Sequence, residues 1–509
     1  MPKSFDFGGV NLTAGEDSSF PRPTPETSFR VAILGDFSGR SNRGISDGKT
    51  IDKRRAALID RDNFDEALSR CAPEIQLAME DSSLHLKFNE LDDFHPDHIF
   101  RQLDALSKLR DLRGRLKDPS TFTEAAEELG LRSSSSVSEG QPKETPAAIA
   151  PSPTRLASGS LLDEMIEQTE ARGQDRPEGK PDEVHEFARR VAARHAVAAP
   201  DARQPEILKV IDHGIGSLMQ AVLHHRDFQA LEAIWRATYL LVRQVETGSD
   251  LKLHIIDISR DELAADLRNA DLKHTGTYRL LVEQTVQTAG AEPWALIVGN
   301  YSFGPGDDDA ELLSRLSQIA DRAGAPFVAE ASPGLLGCSS IASSPHPREW
   351  EPRRGVAWSE LRHRPEAASA GLALPRFLLR LPYGKKTSQT ESFDFEEFQG
   401  LPAHDDYLWG NPAFAVALLL AQSFSAAGWQ MRPGMVPELA PLPLHVFKID
   451  GESRCQPCAE TLLTEEAVEH LLQEGFIPLV SFKDRDSVRI ARFQSIADPP
   501  QILAGRWAK

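Results

Sequence analysis

AEPWALIVGNYSFGPGDDDAELLSRLSQIADRAGAPFVAEASPGLLG, residues 291 to 337, is the stretch that decides the fold. It opens with an uninterrupted apolar run closed by a glycine, which is typical of a strand buried on both faces. The predicted sheet-core residues are Trp294, Leu296, Ile297 and Val298. Apolar residues then recur at helical spacing until Gly324, and a second apolar run begins at Pro326. A strand, a crossover helix and a strand predict an α/β fold whose sheet is covered by helices.

Length, charge and cysteine content limit the functional classes. A chain of 509 residues is too long for one core and is expected to form two or three domains. Its net charge of -19 argues against nucleic acid as a partner. No apolar run reaches the roughly 20 residues that span a bilayer, and the N-terminus lacks the apolar core of a signal peptide. Together with four cysteines, which are too few for a disulfide framework, these features predict a cytoplasmic protein without membrane insertion.

Composition divides the chain into successive segments. The expected segments are a flexible N-terminal arm (1–28), a small α/β domain (29–132), a flexible linker (133–159), a helical segment (160–204) and a larger mixed-sheet α/β domain (205–509). The small domain begins with the compact strand FRVAIL and contains one amphipathic helix over 96–117. The linker has a Ser, Pro and Ala bias that cannot bury enough apolar area to fold.

Two short motifs suggest binding or redox chemistry but have simpler explanations. GISDGKT, residues 44–50, resembles a phosphate-binding loop, but Arg43 occupies the position of the first glycine. We therefore interpret it as a surface turn. Cys455 and Cys458 have the spacing of a redox or zinc pair, yet no second pair nearby supplies the remaining ligands. We interpret them as small buried thiols at a strand-to-helix turn.

Other titratable residues do not assemble a recognisable catalytic motif. The acids at 307–309 stand at the start of a predicted helix, where the helix dipole favours negative charge. No nucleophile elbow, HExxH helix or GxGxxG turn accompanies the histidines at 224–225 or the acids near 404–406. No catalytic, cofactor-binding or metal-binding residue is therefore predicted, and the chain is not expected to be an enzyme. The alternative is an enzyme on an α/β scaffold, which a cleft joining His404, Asp405, Cys455 and Cys458 would support.

Several longer blocks resemble one family. Within about residues 28–130, FRVAILGDFSGR, IDRDNFDEAL and LKFNELDDFHPDHIFRQLDALSKLRDLRGRLKD look like the small subunit of the bacterial type VI secretion contractile sheath, the TssB or VipA family. From about residue 160 onward, the blocks that look like the large subunit, the TssC or VipB family, are SLLDEMIEQTEAR, LMQAVLHHRDFQALEAIWRATYLLV, PWALIVGNYSFG, APFVAEASPGLLG, LALPRFLLRLPYG and HDDYLWGNPAFAVALLLAQSF. The chain as a whole resembles a fusion of the two subunits.

This resemblance implies a mechanical role without a cofactor. In that family the two subunits form a heterodimer that polymerises into a helical tube around an inner tube, and neighbouring protomers donate strands to one another's sheets. Contraction then drives the inner tube outward. The implied partners are copies of itself or other sheath subunits, an inner-tube protein and baseplate components. Joining the subunits by a linker would fix their ratio and raise their effective concentration.

The resemblance also implies a contact with a AAA+ recycling ATPase. Large subunits of the family present a helix near their N-terminus, and the matching residues here are Leu161, Leu162, Met165 and Ile166. This helix is internal, so it could be pulled as a loop but not threaded from a free end. Family large subunits also continue into a longer C-terminal region that makes sheath contacts, whereas this sequence ends at Lys509. The alternative role is therefore a sheath-derived accessory that caps or regulates assembly without polymerising.

Overall fold

The computed structural model of this chain describes residues 3–7, 10–14, 23–78, 83–128, 203–269, 271–288 and 290–507. The chain separates into two compact units. The first consists of Met1–Ser107 with Asp212–Lys509, and the second is Lys108–Ile211.

Helices and strands alternate along most of the described residues. The α-helices are α1 (Phe64–Cys71), α2 (Pro96–Gln102), α3 (Asp104–Lys117), α4 (Phe122–Glu128), α5 (Gln204–Leu223), α6 (Arg226–Gln244), α7 (Arg260–Leu267), α8 (Gly276–Tyr278), α9 (Asp307–Ala323), α10 (Val356–Arg362), α11 (Ala413–Ala427) and α12 (Glu465–Gln473). The strands are β1 (Lys3–Phe7), β2 (Val10–Ala14), β3 (Phe29–Gly35), β4 (Ala57–Ile59), β5 (Glu74–Ala78), β6 (Ser83–Lys87), β7 (Leu251–Asp257), β8 (Leu296–Phe303), β9 (Phe327–Ala331), β10 (Ala370–Leu374), β11 (Phe377–Leu378), β12 (Trp409–Gly410), β13 (Glu438–Leu439), β14 (His445–Ile449), β15 (Glu452–Gln456), β16 (Phe476–Ser481) and β17 (Val488–Ile490).

A nine-stranded mixed sheet organises the first unit, in the order β13-β17-β16-β10-β9-β8-β3-β7-β4. The six strands from β16 to β7 run parallel; β4 pairs antiparallel with β7 at one edge, and at the other β17 pairs antiparallel with both β16 and β13. The parallel strands follow the spatial order 2-1-3-4-5-6, so the winding reverses direction at β3. The predicted α/β class with a large mixed sheet is confirmed.

Helices cover both faces of this sheet. Helix α9 packs on β8, β9 and β10 within one apolar cluster that includes Ile297 and Phe327. Helix α11 packs on the same strands outside that cluster, which places it on the other face. Gly299 on β8 allows the Phe327 ring of β9 to approach the backbone closely, because an added Cβ would lie 2.5 Å from that ring.

One helical stretch among the described residues, Ala413–Gln430, is long and apolar enough to span a membrane by composition. Its residues from Ala413 to Ala421 are nearly all fully buried by the protein itself. A helix that is apolar on every side is expected in the core of a large domain. We therefore interpret it as a core helix.

Several predicted elements differ from the observed ones. The helix predicted over 96–117 is broken at Leu103, whose backbone is extended. The apolar spacing runs through this break because Leu103 itself is buried. The segment predicted as a loose arm contains the antiparallel pair β1 and β2.

The second unit is helical in the residues that the structure describes. Its core side chains come from the end of α3, from α4 and from the start of α5; they are Leu112, Leu116, Phe122, Ala125, Ala126, Ile207 and Ile211. The side-chain amide of Gln204 donates to the carbonyl oxygens of Leu116 (2.7 Å) and Lys117 (3.1 Å). This amide satisfies carbonyls that the end of helix α3 leaves without an intrahelical donor.

Candidate functional site

The first strand of the small-subunit-like segment lies in the middle of the sheet built by the large-subunit-like segment. Strand β3 pairs in parallel with β7 along its whole length and with β8 from Val31 to Leu34. The main-chain N–H groups of Ala295 and Ile258 donate to the carbonyl oxygens of Arg30 and Gly35, both at 2.8 Å. Neither segment completes this sheet alone. We call the set of contacts between the two segments the junction and treat it as the candidate functional site.

At the carboxyl end of β3, side chains of the protein occupy the position where open α/β sheets bind ligands. The Asp257 carboxylate accepts from the main-chain N–H of Phe37 (2.8 Å) and from the N–H and hydroxyl of Ser38 (3.1 and 2.7 Å). Burial raises the pKa of Asp257, and the bonds from Ser38 oppose that rise. The indole of Trp235 donates to the carbonyl oxygen of Phe37 (2.9 Å). Contacts between the two segments therefore occupy the point where the winding of the sheet reverses.

A buried carboxylate, Glu262, anchors the loop that follows β3. Its carboxylate forms ion pairs with the guanidinium groups of Arg40 (2.9 Å) and Arg54 (2.6 Å) from the small-subunit-like segment, and the Glu262 side chain is fully buried. The main-chain N–H of Asp47 also donates to it (3.0 Å). Burial alone would raise the pKa of Glu262, but the hydrogen bonds from Arg54 and Arg40 outweigh it and lower the pKa to about 2. The carboxylate is therefore ionised at neutral pH and holds two cations at the junction.

A second polar contact joins helix α2 to a loop of the large-subunit-like segment. The Asp97 carboxylate accepts from the main-chain N–H groups of Glu391 and Ser392, both at 2.9 Å. Burial would raise the pKa of Asp97, but these backbone hydrogen bonds lower it overall. The rings of Phe100 and Phe393 pack beside this contact with centroids 4.9 Å apart. Polar and aromatic contacts thus fix the loop against the small-subunit-like segment.

Buried ion pairs connect helix α6 to the residues on either side of this loop. The Arg380 guanidinium reaches Glu232 and Glu397, each at 2.8 Å, and Arg236 reaches the same Glu232 at 2.6 Å. Burial would raise the pKa of Glu397, but Arg380 lowers it to about 2. Tyr383 accepts from Arg236 (2.9 Å) and donates its main-chain N–H to Glu397 (2.7 Å). Each charge is paired, which a buried charge requires.

The predicted sheet-core residues lie at the start of β8, and all four are buried. The strand itself begins at Leu296, so Trp294 precedes it. The Arg30 guanidinium lies over the Trp294 ring at 4.1 Å from its centroid, which adds a cation–π contact to the junction. The predicted ATPase helix, with Leu161, Leu162, Met165 and Ile166, lies outside the described residues.

The residues proposed for an enzyme make no hydrogen bond or ion pair with one another in the part of the chain that the structure describes, although Cys455 lies near enough to Cys458 to raise the pKa of its thiol. His404 pairs with Glu460 (3.0 Å), which also binds Arg376 (2.7 Å). The Cys458 thiol instead donates to the carbonyl oxygen of Arg485 (3.3 Å). Burial raises the pKa of Cys458 to about 12, so this thiol stays protonated at neutral pH and is a poor nucleophile.

The Cys455 thiol is only partly buried, unlike that of Cys458, although both were expected to be buried. Burial raises its pKa too. The main-chain carbonyl of Asp405 accepts from the side-chain amide of Gln229 (3.1 Å), so this residue holds the end of its loop on helix α6. His404, Asp405 and Cys458 are therefore each held by bonds to other residues.

Three side chains in the described residues could offer ligand atoms to a metal, namely Glu90, Asp93 and His98, whose atoms lie within 4.8 Å of one another. The Asp93 carboxylate already accepts from the main-chain N–H of Asn89 (2.6 Å) and of Glu90 (3.2 Å). Glu90 and Asp93 form a reciprocal capping box. Capping accounts for this group without a metal.

Sequence reasoning missed Glu262, Arg40 and Arg54, whose ion pairs join the two segments around a fully buried carboxylate. One local signal was present, because Ser259 and Glu262 have the spacing of a capping box, and the structure shows that box. The partners of Glu262 are 208 and 222 residues away, beyond the reach of local patterns.

Comparisons with known proteins confirm the resemblance to both sheath subunits. Residues 205–497 match the family model described as "EvpB/VC_A0108, tail sheath N-terminal domain". Residues 21–132 match the one described as "Type VI secretion system, VipA, VC_A0107 or Hcp2". The chain is also similar to the "Type VI secretion system sheath protein TssC1" of Pseudomonas aeruginosa, with 32% identity over 341 residues, or 63% of this chain and 68% of that protein.

Proposed function

Because this chain belongs to the family of type VI secretion system sheath proteins, we propose that it is a sheath protomer carrying both subunit types in one chain. The observation that supports this most is the position of β3 between β7 and β8. A strand in the middle of a sheet joins the two segments within the first compact unit. Such a protomer is complete before it meets a neighbour.

In this proposal, protomers contact one another through exposed strand edges. The hairpin β14–β15 forms a two-stranded sheet separate from the main sheet, and Val446 on it is 60% exposed. In the described residues neither outer edge of this hairpin pairs with another strand. Unpaired N–H and C=O groups on such an edge can receive a strand from a neighbouring protomer.

The wider role we propose is assembly around an inner tube in the bacterial cytoplasm, contact with a baseplate, and contraction that drives effector delivery. The role needs no catalysis, and the matched families are structural sheath families that are not known as enzymes. The buried carboxylates described above are paired with arginines, as a structural role requires.

Negative-stain microscopy of the purified chain, alone and with an inner-tube protein, tests this role. We expect regular tubules whose length grows with protein concentration. Discrete particles at every concentration, with and without the inner-tube protein, would contradict a polymerising protomer. That result would favour a sheath-derived accessory that caps or regulates assembly.

A AAA+ recycling ATPase is a further proposed partner, through Leu161, Leu162, Met165 and Ile166. Changing Leu162 and Ile166 together to Asp should abolish capture of the ATPase in a pull-down, because charge replaces two apolar contact residues. A matched variant, Glu164→Gln with Glu167→Gln, alters the same stretch without touching its apolar residues and should retain capture. Equal capture by both variants would remove this role.

A further inference from the structure

The hairpin β5–β6 forms a two-stranded sheet of its own, so each of its strands has an outer edge. Its apolar side chains are buried, namely Ile75, Leu77, Leu84 and Leu86. Gln76 on β5 is exposed and lies opposite His85 on β6. An exposed strand edge offers its unpaired N–H and C=O groups to any extended strand of another molecule. The hairpin is therefore a place where a strand of a second copy could add.

The side-chain amide of Asn42 occupies this edge on β5. The main-chain N–H of Gln76 donates to Oδ1 of Asn42 (2.7 Å), and Nδ2 of Asn42 donates to the carbonyl oxygen of Gln76 (2.9 Å). In an antiparallel pair, residues that bond across to the partner strand alternate with residues whose two main-chain groups point away from it, and Gln76 is of the second kind. Asn42 therefore makes the two hydrogen bonds with Gln76 that an added strand would make.

Further bonds within the chain cover neighbouring positions of the hairpin. The main-chain N–H of Glu74 on β5 donates to the carbonyl oxygen of Ser38 (3.3 Å), in the loop that carries Asn42. On β6, the main-chain N–H of Lys87 donates to Oε1 of Gln102 (3.2 Å), and the Lys87 side chain is 66% exposed. Lysine on an edge strand is one of the devices by which natural sheets avoid adding strands. Outward-facing N–H groups on both strands are thus already bonded.

The hairpin β14–β15 lacks such a block in the part of the chain that the structure describes. Each of its strands has five residues. No side chain of the described residues bonds the main-chain groups of Val446 or Lys448 on β14. The main sheet, by contrast, ends in short strands, since β13 has two residues and β4 has three. The chain therefore leaves the edge of β14 open while it covers that of β5.

We propose that the Asn42 amide excludes strands of other copies from β5, which directs the pairing of copies to open edges such as that of β14. This inference rests on the proposed function, in which copies pair through strand edges. Nδ2 of Asn42 also donates to the carboxylate of Asp227 (2.7 Å), in the first turn of helix α6 of the large-subunit-like segment. The amide is thus held in place by the second segment, and β5 is fully closed only in a chain whose two segments have joined.

Hydrogen exchange of the Gln76 N–H, measured by mass spectrometry on the full chain, tests the proposal. In the natural chain we expect slow exchange at every protein concentration, because Asn42 accepts from this N–H. In Asn42→Ala, exchange in dilute solution should be about ten-fold faster. At high concentration it should become slow again, because a strand of another copy then pairs with β5. The control is Asn89→Ala, which removes an exposed amide of the same segment and should behave like the natural chain.

A second substitution identifies the edge at which copies associate. Gln76→Pro removes the N–H that an added strand needs, and proline is tolerated on an edge strand where the N–H faces away from the partner. Light scattering should show that Asn42→Ala associates more than the natural chain and that Asn42→Ala with Gln76→Pro does not. Asn42→Ser, whose shorter hydroxyl cannot bond both groups of Gln76, gives the same readouts should Asn42→Ala fail to fold.

The outcomes separate this inference from the protomer role. Fast exchange of Gln76 in Asn42→Ala at every concentration, or excess association that persists with Gln76→Pro, would overturn the closure of β5 and leave the protomer role intact. Concentration-dependent protection of Gln76 in Asn42→Ala, with a natural chain that forms no tubules, would support the closure and contradict the polymerising role. Equally fast exchange of Gln76 in the natural chain and in Asn42→Ala would show that Asn42 does not cover this edge.

Discussion

The Glu262 side chain, seen as a single residue, holds two arginines from a distant part of the chain. Arg40 and Arg54 are themselves mostly buried, with 22% and 13% of their side chains exposed. Removing the shared carboxylate leaves two guanidinium groups without their partner in a poorly solvated place. Such a loss costs more than the pairing itself contributes, because the stranded charges stay desolvated.

Glu262→Gln is expected to lower the free energy of unfolding by about 3 kcal/mol at pH 7. The folded pKa of Glu262, about 2, lies below its ordinary value of 4.5, so its contribution is present above pH 4.5 and is lost as the pH falls toward 2. Urea denaturation at pH 7 and pH 3 should therefore show a smaller gap between the two proteins at pH 3. The control is Glu469→Gln on the exposed face of helix α12. A gap independent of pH would contradict the ionised anchor.

Glu330 presents the opposite case at the end of β9. Burial raises its pKa to about 7; Arg376 opposes this rise, Glu460 adds to it, and the Ser302 hydroxyl at 3.3 Å opposes it again. Glu460, which raises the pKa of Glu330, also pairs with His404. The folded state therefore favours the protonated acid, whereas the unfolded chain ionises near pH 4.5.

Glu330→Gln should consequently stabilise the protein at pH 8. In the natural chain this carboxyl costs nothing below pH 4.5, and stability is lost as the pH rises from 4.5 through 7. From pH 5 to pH 8, the melting temperature should fall by less in Glu330→Gln than in the natural chain. Glu460→Gln, which removes the partner of Arg376, should lower the melting temperature at both. An unchanged pH dependence in Glu330→Gln would show that Glu330 ionises normally.

At the scale of elements, apolar runs predicted strands well because buried parallel strands need no polar face. FRVAIL corresponds to β3, and the predicted end of helix α9 at Gly324 is confirmed by its left-handed backbone (φ 63°). Patterns of this kind predict whether an element is a strand or a helix, but not which other strands it pairs with. Nothing local to FRVAIL says that its partners begin at Leu251 and Leu296.

The side chains of β8 allow a direct test at this scale. Ile297→Asp would bury an unpaired carboxylate and should cost several kcal/mol, leaving the protein insoluble or unfolded. Ile297→Val removes one methylene and should cost about 1 kcal/mol while the protein stays folded. Circular dichroism and solubility measure both. A soluble, fully folded Ile297→Asp protein would contradict the buried strand.

For the whole molecule, the junction predicts that the covalent link between the segments is not what holds them together. A protease site placed within residues 133–159 should allow cleavage without separation, because β3 remains paired on both sides. Native mass spectrometry and gel filtration should report one particle containing both fragments in plain buffer. Glu262→Gln should lower the urea concentration at which cleaved fragments part. Separation without denaturant would mean that the junction is weaker than its contacts suggest.

The central position of β3 also bears on how a ribosome makes this protein. Phe37 leaves the exit tunnel 220 residues before its partner Asp257. At translation rates of about 5–20 residues per second, this strand waits roughly 10–45 s with its apolar side chains uncovered and its main-chain edges unpaired. During that interval a nascent chain can be captured by chaperones or by another nascent chain on the same messenger. Slowed translation before residue 257 should thus reduce the yield of native protein, whereas slowing after residue 303 should not.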